Sequence, residues 1–91
     1  MDFYETSTIQ INKKLFQLTE QYIEKRLQKN EKISYKETID EIVAYCQREI
    51  QFGSRRTIRE KIEVLCSKEG PFEKIMTKNI GYIRMRIFQK R

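Results

Sequence analysis

The dipeptide Gly70-Pro71 separates two hydrophobic periods, and this change constrains the fold more than any other feature of the sequence. Before it, apolar residues recur every three or four positions, the spacing of one helix face. After it, Ile83, Met85 and Ile87 alternate with Tyr82, Arg84, Arg86 and Phe88, the two-residue period of a strand. The chain therefore reads as helices first and strands last. Its 91 residues suffice for one small domain. A domain of that size buries roughly 60–65 % of its unfolded surface, so one modest core is expected and an enclosed pocket for a large substrate is not.

Three helices are predicted. Asn12 is placed to cap the first, from Lys13 to about Lys29-Asn30. Leu15, Leu18, Tyr22 and Arg26 form one row on it, and Phe16, Ile23 and Leu27 form another. Its polar face holds Lys13, Lys14, Glu20, Glu24, Lys25 and Lys29. Ser34 with Glu37 makes a capping box for a second helix reaching about Ile50. Ile39, Ile42, Val43, Cys46 and Ile50 mark its buried face, and Glu37, Asp40 and Glu41 make its surface acidic. Gln51-Phe52-Gly53-Ser54 breaks the pattern, with Gly53 free to take a positive φ. Ser54 caps a third helix, through Ser67, whose apolar row is Ile58, Ile62 and Leu65. Gly70-Pro71 is read as its stop.

Phe72–Thr77 is the expected partner of the last strand, with Lys78-Asn79-Ile80-Gly81 as the connection. Ile33, in the link between the first two helices, is suited to pairing as an isolated strand residue. Residues 1–11 show no helical period and read as an N-terminal arm, either a short strand at Thr8–Ile11 or a loose tail. Residues 12–91 then form the domain, mainly α with a small β-hairpin.

The inventory weakens several function classes. There is no His, the commonest general base and neutral metal ligand. Cys46 and Cys66 have no neighbours at metal-site spacing and fall on apolar helix faces, which suits buried thiols better than a 46–66 disulfide. No Gly-rich phosphate loop is present, and Asp40 and Glu41, adjacent on a helix, point apart. The chain is therefore expected not to be an enzyme and to need no cofactor, metal or small-molecule substrate. The acidic start, Met1 to Ser7, has no apolar signal segment, and no stretch is long enough to span a membrane, so a cytoplasmic, reducing location is expected.

The order helix, helix, four-residue turn, helix, hairpin resembles the winged helix-turn-helix family. The resemblance rests on Ser34–Ile50, the turn Gln51–Ser54, the helix Arg55–Ser67 and the hairpin Phe72–Phe88, about 60 residues, with Lys13–Asn30 as the first helix. Gly53-Ser54-Arg55-Arg56-Thr57-Ile58-Arg59-Glu60-Lys61-Ile62 is similar to the turn and recognition helix of archaeal and bacterial winged-helix regulators. The Lys-, Arg-, Glu- and Ile-rich composition suits a thermophilic archaeon or its viruses. The resemblance implies a three-helix core with a C-terminal wing, double-stranded DNA as partner and transcriptional regulation as role. Helix 54–67 would enter the major groove, and hairpin 72–88 would lie on the flanking backbone.

Charge supplies an independent argument. The net charge is +6. Residues 54–91 hold eleven basic and four acidic side chains, +7, so the rest of the chain carries −1. An excess of that kind points to an anionic partner. The expected DNA-facing residues are Ser54, Arg55, Arg56, Thr57 and Arg59 on the third helix, with Lys74, Lys78, Arg84 and Arg86 on the hairpin. Arginine either reads guanine bidentately or holds a phosphate. The second apolar row of the first helix, Phe16, Ile23 and Leu27, is a candidate homodimer interface. Two other readings stay open: a protein-interaction adaptor in replication, transcription or assembly, using acidic helix 2 and helix 1, and non-specific nucleic-acid binding.

Overall fold

The computed structural model describes residues 3–86, with side chains from residue 10 onward. The expectations for Ile87, Phe88 and the last three residues lie outside the described residues. Three helices, α1 (Phe3–Leu27), α2 (Tyr35–Glu49) and α3 (Arg55–Leu65), pack with three strands, β1 (Ile33–Ser34), β2 (Phe72–Thr77) and β3 (Ile80–Met85). The strands form one antiparallel sheet in the order β1-β3-β2, so the layout is mixed α/β rather than helices with a bare hairpin.

The first correction concerns the N-terminus. α1 starts at Phe3, not Lys13, and runs through the expected arm. Residues 3–27 contain no Gly or Pro, and extending a nucleated helix requires no new nucleus. Asn12 is thus an interior helix residue rather than a cap. α1 ends where Asn30 Nδ2 donates to the Arg26 carbonyl at 2.9 Å.

The other helix starts match their signatures. Ser34 Oγ accepts from the Glu37 amide and Ser54 Oγ from the Thr57 amide, at 3.3 and 3.2 Å. Each such cap is worth about 1 kcal/mol. Between α2 and α3, Gly53 sits at φ +110°. α3 stops at Leu65, two residues before the predicted end. Gly70 is therefore not its cap but serves a close approach. A Cβ there would lie 2.0 Å from the Leu65 carbonyl oxygen.

Every element feeds one core. Leu15 and Ile23 come from α1, Ile33 from β1, Ile39, Ile42 and Cys46 from α2, Ile58, Ile62 and Leu65 from α3, Phe72 from β2 and Ile83 from β3. Fully burying one such aliphatic side chain stabilises by roughly 1.5–3 kcal/mol. The buried line on α1 is Leu15-Thr19-Ile23. Thr19 is fully buried because its hydroxyl donates to the Leu15 carbonyl at 2.8 Å. Ile23, expected at a dimer interface, is fully buried inside the protomer, while Phe16 and Leu27 are half-buried against the same core.

β3 is the central strand. Ile83 pairs with Ile33 on one side and Lys74 on the other. The hairpin connection is two residues long, since Ile80 and Gly81 belong to β3. Lys78 and Asn79 both have positive φ, +52° and +66°, as a tight turn of matching twist demands. Met85, expected inward, lies opposite Phe72 at the sheet's end and is exposed.

Gly70→Ala is expected to destabilise by about 3 kcal/mol, since a backbone atom blocks the methyl group. Gly53→Ala should cost about 1 kcal/mol through its backbone conformation alone, its contacts being ordinary. Urea unfolding of the two variants checks both the sizes and the order.

Candidate nucleic-acid interface

The first turn of α3 is held by three contacts. Ser54 caps it, and the Ser54 and Thr57 hydroxyls are 2.9 Å apart. Arg55 reaches back across the turn to Asp40 of α2 in an ion pair. Of these contacts, the Arg55–Asp40 pair bridges α2 and α3, whose buried residues also share one core.

Arg56 is differently placed. Its side chain is 83 % exposed, and among the described residues it pairs with Glu60 at 3.3 Å, an i,i+4 pair on the open face of α3. Surface pairs of that kind contribute about 0–1 kcal/mol, so Arg56 can trade it for an anion. Arg59 is exposed and makes no hydrogen bond or ion pair among the described residues. Lys78, at the hairpin turn, is exposed and also without one.

The remaining basic candidates are committed to the protein. Lys74 stands opposite Ile83 in the ladder, on the face opposite Arg84, which stands opposite Glu73. It was expected beside Arg84 and Arg86. Its ammonium instead lies 4.0 Å from the centroid of the Tyr35 ring and 3.6 Å from Glu63 Oε1. The Tyr35 hydroxyl donates to the same carboxylate, so α2, α3 and β2 meet at one node. Burial first, and Glu63 second, push the Tyr35 phenol well up, with Arg59 opposing them. Arg84 pairs with Glu73 across the hairpin, and both are partly buried.

Arg86 is the clearest correction among the site residues. It is only 21 % exposed. Its Nε donates to the Gly70 carbonyl at 3.0 Å, and its Nη2 to the carbonyls of Ser67 at 2.7 Å and Phe72 at 2.9 Å. A longer contact runs to Cys66 at 3.4 Å. Glu73 lies 3.8 Å from Nη1. This guanidinium joins β3 to the end of α3 and does not face outward.

The expected surface thus contracts to Arg56, Arg59 and Lys78, with Arg84 partly accessible. The sequence reading missed a second positive surface on α1. Lys14, Lys25 and Lys29 form no ion pair or hydrogen bond among the described residues and line a groove of about 600 Å³ toward α2. Their spacing beside Leu18 and Tyr22 was a usable signal.

Both thiols are free, and burial pushes both up, Cys66 to about 11. Such thiols are poor nucleophiles at neutral pH. Among the described residues, no group of three or more Cys, Asp or Glu side chains is placed to hold a metal ion. None of the described helices is long and apolar enough to cross a membrane. No known protein family, curated protein or solved structure matches the chain.

Arg86→Ala should destabilise by about 2 kcal/mol, because it strips donors from partly buried carbonyls. Urea unfolding measures the loss, and Arg86→Lys should recover only part of it. Alkaline titration supplies a separate check. Burial and the hydrogen bond to Glu41 push the Tyr22 phenol up to about 12. The raised folded value means that stability is intact below the unfolded value near 10 and is lost as pH rises toward 12. Phenolate absorbance should show late-ionising tyrosines, and Tyr22→Phe should remove one of them.

Proposed function

We propose that the chain is a duplex-DNA-binding protein of the winged helix-turn-helix type, acting as a transcriptional regulator. The observation that carries this reading is the open first turn and a half of α3. Arg56, in an exposed pair with Glu60, and Arg59 face solvent on a helix capped by Ser54 and joined to α2 by the Arg55–Asp40 pair. The N-terminal part of a recognition helix is what helix-turn-helix proteins insert into the major groove. Two further features support the reading. The element order α1-β1-α2-α3-β2-β3 puts a hairpin directly after α3, and that hairpin carries Lys78 at its turn. Helix N-termini also favour phosphate through their unpaired amides.

In this reading Arg56 and Arg59 contact base edges or phosphates in the major groove, and Lys78 holds the flanking backbone. Arg84 adds charge beside it by exchanging Glu73 for a phosphate. Arg55, Ser54 and Thr57 position α3, and Lys74 and Arg86 hold the hairpin. A homodimer on Phe16, Ile23 and Leu27 is no part of the proposal, because Ile23 is spent in the core.

Mobility-shift titration tests the assignment. Arg56→Ala and Arg59→Ala should each weaken duplex binding by roughly 1–3 kcal/mol if they read bases. If they hold phosphates, the salt dependence should flatten by about one unit of slope per charge removed. Duplex binding untouched by the double variant contradicts the proposal.

A further inference from the structure

α1 and α2 leave an open groove between them that the α3 surface does not use. One line of α1, Lys14-Leu18-Tyr22-Lys25-Lys29, follows i, i+4, i+8, i+11 and i+15; Arg26, also of α1, and Tyr45 of α2 lie beside it. Leu18, Tyr22 and Tyr45 make an apolar floor, with Tyr45 38 % exposed. Four cations line the groove and no carboxylate does. Arg26 has a partner, Glu41 at 3.4 Å, whereas the three lysines have none among the described residues. An apolar floor whose charged lining residues are all cations, with Gln17 and Gln21 between them, matches an amphipathic helix with an acidic face. The line from Lys14 to Lys29 spans about 22 Å, the length of a helix of about 15 residues.

We propose that this groove docks an acidic amphipathic helix of a partner protein. The other occupants fit less well. A single nucleic-acid strand needs aromatic platforms on which to stack its bases. Tyr22 is part-buried with its hydroxyl bound to Glu41, and the Tyr45 ring already carries Arg48 at 5.7 Å. A duplex would touch the lysines and leave the apolar floor wet. A second copy would have to offer acidic α2, yet Asp40 and Glu41 are already paired within the protomer.

The test uses the full chain and a fluorescein-labelled synthetic peptide of about 16 residues, with Leu and Phe at i, i+3, i+4 and i+7 and Glu on the remaining face. Anisotropy should rise saturably. A scrambled peptide of the same composition should bind at least about tenfold more weakly, having charge but no apolar face. Lys25→Glu with Lys29→Glu should weaken binding at least about tenfold, and Tyr45→Ala severalfold. Both lysines are exposed, so the fold should survive, as far-UV circular dichroism would report. Lys25→Gln with Lys29→Gln repeats the test without adding negative charge and should weaken binding severalfold. Equal binding of the scrambled peptide, unchanged affinity in the lysine variants, or displacement of the peptide by a single-stranded oligonucleotide of equal length would overturn the proposal.

Discussion

One guanidinium fixes where the hairpin stands. The last carbonyls of a helix lack partners within it, and a chain that turns sharply afterwards exposes more. Between Leu65 and Phe72 the carbonyls of Cys66, Ser67, Gly70 and Phe72 converge on Arg86, which reaches them from just beyond β3. Gly70 packs its α-carbon against the Leu65 carbonyl, too tightly for a side chain. The Arg86 amide also donates to the Pro71 carbonyl at 3.0 Å. The base of the hairpin is thereby fastened to the end of α3. Where the hairpin turn stands relative to α3 depends on this junction.

The same interaction changes how the charge is read. The +7 of residues 54–91 already counts Glu60, Glu63 and Glu73 against the basic side chains, and of the four acidic partners only Asp40 lies outside that segment. Asp40 takes Arg55, Glu60 takes Arg56, Glu63 takes Lys74, and Glu73 takes Arg84. These pairs differ in what breaking them would cost. Arg56–Glu60 lies on one helix in open solvent and costs little to exchange. Arg55–Asp40 links two helices, and Lys74–Glu63 belongs to a node of three elements, so releasing either loosens tertiary structure. Among the described residues, Arg59 and Lys78 with the exposed Arg56 make one group of accessible cations on α3 and the hairpin turn, and Lys14, Lys25 and Lys29 make another along α1.

Much of the fold was legible because local signatures agreed with tertiary demand. Ser34 with Glu37 and Ser54 with Thr57 cap the helices they were read to cap. Ile39 and Ile42 of α2 and Ile58 and Ile62 of α3 enter the core and Ile33 pairs with the sheet, but Ile50, read as part of the buried face of α2, lies past the helix end and is exposed. The failures have physical causes. Thr19 looks polar, but a helix carbonyl satisfies its hydroxyl, which moves the buried line of α1 toward Ile23 and away from solvent. Residues 3–11 have little periodicity and are helical by propagation. For the site, Lys74 was assigned to the wrong face: antiparallel partners share a face, and Lys74 pairs with Ile83, which puts it opposite the face of Arg84 and Arg86. Arg86 alternates correctly with Met85, yet periodicity cannot report that carbonyls wait on its side of the strand.

The central claim is that the open turn of α3 and the hairpin turn together bind duplex DNA. Selection of bound duplexes from a random pool at physiological salt tests it most directly. The wild-type chain should progressively enrich a defined site, and that enrichment should be lost when Arg56 and Arg59 are both replaced by alanine. A pool whose composition stays that of the input through successive rounds, or one enriched equally by the double variant, would contradict it.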